Sequence, residues 1–262
     1  MKPATTIVKV CRLLGAFRDH PSMGITELAA KTELLPSDVH RILTSLESFG
    51  FIEQDGHTKK YHLGLELLKL GHTVLERLEV REIGRPLLRR LSEKVEATAN
   101  MAIFDSRQLE ILFVEQIDSP NEVQIRARIG APASPHSTGL GKTITAFLDA
   151  DTARRSLKKN GLRKRTAHTI TDAAELEREF AKIRAQGYAV DREEAVEDAC
   201  CLAAPVYDHT GAVVAAISVS MAAARFYRWG EPDLAAIVKS FAKKFSTTLG
   251  YDHRYGGRRI AV

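Results

Sequence analysis

Cysteine is scarce in this 262-residue chain: only Cys11, Cys200 and Cys201 occur, and none stands in a CxxC spacing. Neither a zinc ribbon nor a secreted disulfide scaffold is suggested, and the thiols are expected to be reduced. Nine histidines are scattered without an HxxxH or HExxH pattern, so no metal site is expected. The chain also lacks any run approaching the roughly 18–20 apolar residues of a membrane span, and its start lacks the apolar core and cleavage site of a signal peptide. The expectation is a cytoplasmic protein with no membrane partner. A charge excess is missing where it would be most telling: residues 1–80 hold ten Lys/Arg against ten Asp/Glu, although the whole chain carries a net +5. Bulk charge therefore says nothing about a polyanion partner for the first part of the chain. What is present is ordinary for a folded protein, 44% apolar and 27% charged residues, at a length that suggests two domains.

Ile7, Val10, Leu14 and Phe17 recur at helical spacing, and His20-Pro21-Ser22 ends that pattern, which predicts a helix over 5–19. Thr26 stands as the N-cap of a short second helix, with Glu27 in its first turn. Pro36-Ser37 opens a third helix whose stripe Val39, Ile42, Leu43, Leu46 faces a core, with Gly50 as its stop. Its other face carries Ser37, Arg41, Thr44, Ser45 and Ser48, short hydroxyls around one arginine. Such a face suits phosphates and base edges better than the Glu/Lys alternation of a solvated helix. A strand Phe51–Gln54, a tight turn at Asp55-Gly56 and a return strand Lys60–Leu63 make a wing whose basic tip, including Lys59 and Lys60, suits a phosphate backbone, though solvated turns share that composition. Helix, helix, turn, helix and hairpin in this order predict a winged helix-turn-helix over residues 1–64, with double-stranded DNA as partner.

A leucine-rich helical pattern over 65–80 is too apolar for a free linker and is expected to pack against a second copy or against the next domain. Residues 81–252 then change character. A helix at 81–96 precedes strands Thr98–Phe104, Leu109–Gln116 and Val123–Ile129, helices near 140–159 and 172–186, strands Leu202–Tyr207 and Val213–Ser220, and a helix from Pro232 to Leu249. Strands in succession predict an antiparallel sheet flanked by helices, hence an α+β class, with residues 253–262 as a flexible tail.

Several blocks resemble the IclR family of transcriptional regulators along essentially the whole chain. Ile25-Thr26-Glu27-Leu28-Ala29, Val39-His40-Arg41-Ile42-Leu43, Gly50-Phe51-Ile52 and Tyr61-His62-Leu63-Gly64 resemble its winged helix. Pro135-His136-Ser137-Thr138-Gly139-Leu140-Gly141-Lys142, Gly187-Tyr188-Ala189-Val190-Asp191 and Cys201-Leu202-Ala203-Ala204-Pro205-Val206 resemble its effector-binding domain. The resemblance implies a GAF/PAS-like sensor sheet, a homodimer or homotetramer, and a small-molecule effector that controls a catabolic operon, with no catalysis and no cofactor. Carried over position by position, it puts effector contacts at Gly139, Leu140, Asp191, Cys201, Ser218 and Ser220. DNA contacts are expected from Thr26, Ser37, Asp38, His40, Arg41, Thr44, Ser45, Lys59 and Lys60. Ser218 and Ser220, two apart on one strand, would share a face, and N–H groups near Gly139 would receive a carboxylate, so a small organic or aromatic acid fits. Where the family usually has Gly before the cysteine block, this chain has Asp198; Leu140 is bulkier than the family's residue there.

Other motifs read more plainly. Gly139-Leu140-Gly141-Lys142-Thr143 lacks the first glycine of a nucleotide-binding P-loop, His136 standing in its place. The acidic group Asp191, Glu193, Glu194, Glu197 and Asp198 reads as solvent-facing rather than as a metal site. The basic run from Arg154 to Arg165 reads as a solvated face. Cys200 and Cys201 have no local base that would form a thiolate. The competing function, a small-molecule enzyme using the C-terminal domain with the winged helix as an interaction module, needs a nucleophile, base and orienting group that the sequence does not supply.

Overall fold

The computed structural model describes residues 4–18, 20–119 and 128–252, which form two compact units divided between Arg77 and Leu78. The first unit begins with α1 (Thr5–Ala16), α2 (Ile25–Thr32) and α3 (Pro36–Ser48). Leu13, Leu28, Val39, Leu43 and Ile52 are fully buried together, so the helical spacing of the apolar residues is what packs the three helices on one another. α1 ends at Ala16, with Phe17 as its C-cap, short of the expected residue 19. α2 starts one step before Thr26: Gly24 is the N-cap, and its N–H donates to the Glu27 carboxylate at 2.7 Å. The glutamate at the third helical position thus takes the N–H of the capping residue, and Thr26 lies inside the helix rather than at its cap.

The wing is β1 (Ile52–Gln54) paired antiparallel with β2 (Tyr61–Leu63), Ile52 opposite Leu63. Its turn is closed by the Asp55 carboxylate, which accepts from the N–H groups of His57 at 2.9 Å and Thr58 at 2.7 Å. α4 (Leu65–Glu76) follows with no buried residue. Leu65 and Leu68 are 67% and 69% exposed, and Leu70 and Val74 are exposed as well.

Among the described residues the second unit is built on a six-stranded sheet whose pairings are all antiparallel. In chain order its elements are α5 (Glu79–Val95), β3 (Thr98–Asp105), β4 (Glu110–Ile117), β5 (Pro132–Ala133), α6 (Gly139–Phe147), α7 (Ala150–Asn160), α8 (Ala173–Gln186), β6 (Ala189–Arg192), β7 (Ala199–Tyr207), β8 (Val213–Ala222), α9 (Ala223–Trp229) and α10 (Glu231–Thr248). The strand order is β5-β4-β3-β8-β7-β6. Because side chains alternate across a strand, the two faces separate cleanly. Met101, Leu202, Ile217, Val219 and Met221 face the large core shared with Leu88 and Leu91 of α5 and Val238 and Phe245 of α10. Ala102, Ala203 and Ala216 face the other way, against Leu140 and Ile144 of α6.

Several expectations shift. The helix expected near 140–159 is two, because Leu148 is extended (ψ 157°) and Asp149 caps a fresh start by accepting from the Thr152 N–H at 3.0 Å. β5, β6 and α9 were not expected. The strand expected over Val123–Ile129 falls outside the described residues for 123–127, as does the tail 253–262.

Candidate functional sites

A cavity of about 360 Å³ opens between the start of α6 and the small-residue face of the sheet. Strand register gives it a polar floor in two rows. Asn100 of β3 lies opposite Ser218 of β8, which lies opposite Ala203 of β7; one step along, Thr98, Ser220, Cys201 and Asp191 line up across β3, β8, β7 and β6. All six positions carried over from the family resemblance, Gly139, Leu140, Asp191, Cys201, Ser218 and Ser220, line this one cavity. Asn100, Phe113, Ser134, Arg128 and Arg165 line it too and were not singled out from the sequence. Asn100 donates its amide N–H to Ser220 Oγ at 3.2 Å, and Ser220 Oγ lies 2.9 Å from Cys201 Sγ. Asn100 Oδ1 is buried with no partner among the described residues, a state that costs about 1–3 kcal/mol when nothing satisfies it.

α6 begins where a ligand would want it to. The Thr138 hydroxyl accepts from the Gly141 N–H at 3.0 Å, whereas the N–H groups of Gly139 and Leu140, at the cavity, have no partner among the described residues. The turn into the helix is tight: a Cβ on Gly141 would lie 1.8 Å from the Ser134 carbonyl oxygen. Leu140 is buried, so its bulk goes into the α6–sheet packing as well as the cavity wall.

Of the acidic group, Glu197 and Asp198 are exposed as the sequence suggested, but Asp191 and Glu194 are not. Asp191 and Glu194 are 2% and 5% exposed. Asp191 accepts from the Glu194 N–H at 2.7 Å and the Ala195 N–H at 3.3 Å, and burial, assisted by the neighbouring Glu194 charge, pushes its carboxyl up to about 7. Glu194 is also raised by burial, and it lies 2.5 Å from the ammonium of Lys142, a residue with no exposure at all. Lys142 further donates to the Val190 carbonyl at 2.7 Å and lies 3.4 Å from Glu179. The lysine that made α6 look like a P-loop is therefore consumed inside the fold. Asp198, where the family usually has Gly, adopts φ 59°, a left-handed conformation that glycine takes freely and Asp tolerates.

Two clamps fix the loop after α7. The His136 ring is buried, and burial lowers its pKa, so it is neutral near pH 7. Its Nε2 faces the Arg163 carbonyl at 3.1 Å and must donate there, which leaves Nδ1 to accept from Ser134 Oγ at 3.1 Å, itself an acceptor from Ser137 at 2.8 Å. On the other side the Thr169 hydroxyl accepts from the N–H groups of Arg165 and Thr166 and donates to the Glu194 carbonyl at 2.7 Å, while Thr166 donates to the Glu193 carbonyl at 2.6 Å. Arg163, Lys164 and Arg165 are exposed, as expected of a solvated run, and Arg165 also lies between the clamps and lines the cavity. Cys200 is fully buried and Cys201 half-buried; burial raises both thiols, Cys200 to about 11, so neither is a thiolate at neutral pH.

In the first unit Ser37, His40, Arg41, Thr44 and Ser45 lie exposed along α3, and Thr26 is exposed in the first turn of α2. Thr44 and Ser45 return their hydroxyl protons to the carbonyls of His40 and Arg41 at 3.0 Å, leaving oxygen lone pairs outward. Asp38 is half-buried and pairs with Lys9 at 2.6 Å and Arg41 at 3.3 Å, interactions that hold its carboxyl below the usual range. Lys60 lies 3.4 Å from Glu27, and Lys59, at φ 56°, is exposed at the wing tip.

Family models match nearly the whole chain: the IclR helix-turn-helix domain over residues 6–56 and the bacterial transcriptional regulator IclR C-terminal domain over residues 72–247. The HTH-type transcriptional regulator KdgR of Escherichia coli is 31% identical over 251 residues, 96% of this chain and 94% of that protein. Among solved structures, the IclR protein of Thermotoga maritima superposes with a TM-score of 0.71 at 29% identity, covering 94% of this chain and 99% of that one. An IclR homologue from Microbacterium hydrocarbonoxydans complexed with 4-hydroxybenzoate shares the fold at a TM-score of 0.79 and 23% identity, covering 94% of this chain and 99% of that one. Among the described residues no helix is long and apolar enough to cross a membrane.

Proposed function

The chain belongs to the IclR family of bacterial transcriptional regulators, and from that premise we propose that it senses a small organic or aromatic acid in the sheet cavity and changes its hold on operator DNA accordingly. Its relatives are regulators, which leaves the enzyme alternative without support. The observation that carries the proposal is the convergence of Gly139, Leu140, Asp191, Cys201, Ser218 and Ser220, drawn from four elements, on one cavity with unpaired N–H groups at a helix start. The bound 4-hydroxybenzoate of the Microbacterium homologue supports an acid of that size.

In this reading residues 1–64 form the DNA-binding domain, 65–80 the linker and dimerisation helix, and 81–252 the effector-binding domain. Arg41, with Ser37, His40, Thr44 and Ser45, meets the major groove, while Thr26, Lys59 and Lys60 meet phosphates. Asp38 serves by holding Arg41 and Lys9 rather than by touching DNA. The exposed apolar stripe of α4 supports a homodimer, which reads two half-sites of an operator, and the protein acts in the cytoplasm. The effector acts through its differential affinity for two arrangements of the subunits.

Thermal stabilisation against a panel of small acids that includes 4-hydroxybenzoate tests this. A ligand at 100 times its Kd adds about 2.7 kcal/mol to the stability of the folded state. A shift from one acid that Ser218→Ala weakens is the expected result; a panel with no shift removes the effector half of the proposal.

A further inference from the structure

Among the described residues, Arg165 is the cation of its run that lines the cavity. Arg154 lies 3.5 Å from Asp151, and Lys159 lies 3.2 Å from Glu110 and donates to the Gln108 carbonyl. The Arg165 guanidinium has no partner among the described residues, and hydrogen bonds from three side chains hold the backbone around it. The His136 ring holds the carbonyl two residues before it, the Thr169 hydroxyl holds its own N–H at 3.0 Å, and Thr166 ties the next residue to the Glu193 carbonyl. An unpaired guanidinium on an anchored backbone at the rim of a cavity has lost part of its conformational entropy before any ligand arrives, which is what a recognition residue needs.

The floor of the same cavity has a complementary deficiency. Asn100 Oδ1 is a buried acceptor with no donor among the described residues, and beside it stand the hydroxyls of Ser218 and Ser220. The lining also includes the apolar Phe113, Leu140 and Pro132. An occupant that satisfies these groups therefore carries an acid, a hydroxyl and a carbon frame that joins them.

Resting on the effector reading above, we propose that Arg165 is the residue that recognises the charge of the effector's carboxylate, and that the effector is a hydroxy acid whose hydroxyl is donated to Asn100. The N–H groups at the start of α6 are further donors to the ligand and favour an anion through the helix dipole, but only by a partial charge, whereas the guanidinium brings a full charge and paired donors.

The experiment measures calorimetric binding to the full-length protein of two acids, 4-hydroxyphenylacetate and D-gluconate, and of their uncharged amides. At least one acid binds more tightly than its amide. Arg165→Ala weakens that acid by about tenfold or more and leaves the amide within about twofold, the range expected for losing a hydrogen bond to a charged group. Arg165→Lys recovers part of the loss, and Asn100→Ala weakens acid and amide alike. Acid and amide binding equally, with both weakened by Ser218→Ala, overturns the assignment to Arg165 and leaves the effector reading standing. Unchanged binding of the preferred acid to Arg165→Ala also overturns it. If neither acid binds the wild-type protein, the hydroxy-acid class is overturned, while the broader effector reading is decided by the separate acid panel.

Discussion

Replacing Asp191 by Asn removes a titration that folding suppresses, and the size of the effect follows from the carboxyl's displacement. Burial pushes Asp191 from an ordinary 3.8 to about 7. Below pH 3.8 the group is protonated in both states and costs nothing. As pH rises from 3.8 to 7 the unfolded chain releases the proton and the folded chain keeps it, so stability falls, and above 7 the loss is constant. With about 1.36 kcal/mol per pH unit, the penalty is about 1.7 kcal/mol at pH 5 and about 4 kcal/mol at pH 8. Asn retains an Oδ1 to accept from the Glu194 and Ala195 N–H groups, so the local turn survives the substitution. The variant's advantage over wild type should therefore grow by more than 2 kcal/mol between pH 5 and pH 8. That corresponds to roughly 5–10 °C in melting temperature for a domain of this size. Paired thermal melts in half-unit pH steps check it. A difference between the two proteins that does not vary with pH would refute the reasoning, because it would mean that Asp191 ionises in the folded state as it does in water.

Three other outcomes are expected. On operator DNA selected from random duplexes, Arg41→Ala loses about 1–3 kcal/mol of binding and the salt slope falls by about 1, read by fluorescence anisotropy over a salt series; unchanged affinity removes α3 from the groove. Gly141→Ala drives a Cβ to 1.8 Å from the Ser134 carbonyl and should lower stability by about 1–3 kcal/mol in a thermal melt; an unaltered melt would mean that the turn into α6 yields freely. Leu68→Glu in the exposed stripe of α4 should shift the protein to monomer in sedimentation at micromolar concentration with its melting temperature little changed, and retention of the dimer would take α4 out of the interface.

What the sequence made legible was what depends on neighbours along the chain. The stripe Val39, Ile42, Leu43 marked the buried side of α3, and the spacing of Ser218 and Ser220 put them on one face of β8, as they are. What stayed hidden depends on residues far apart. Asp191 and Glu194 read as surface carboxylates because Lys142, which shares their buried network, lies about fifty residues earlier. Arg165 read as one cation among seven because His136, Thr169 and the 193–194 turn, which fix its backbone, come from three separate stretches. β6 has four residues and β5 two, too few to show a period of two. The six candidate effector positions were legible only through family resemblance; no local pattern draws Gly139 to Ser218.

The separation of faces on β8 has an evolutionary reading. Residues 215, 217, 219 and 221 belong to the large core, whereas 216, 218 and 220 face α6 and the cavity. On the effector reading proposed above, one strand thus writes two messages in alternate letters, one specifying the fold and the other the chemical sensed. Substitutions at the even positions would then alter which metabolite is sensed while the odd positions go on holding the sheet to α5 and α10. A lineage of such regulators can therefore change what it listens to by single steps, without passing through an unfolded ancestor.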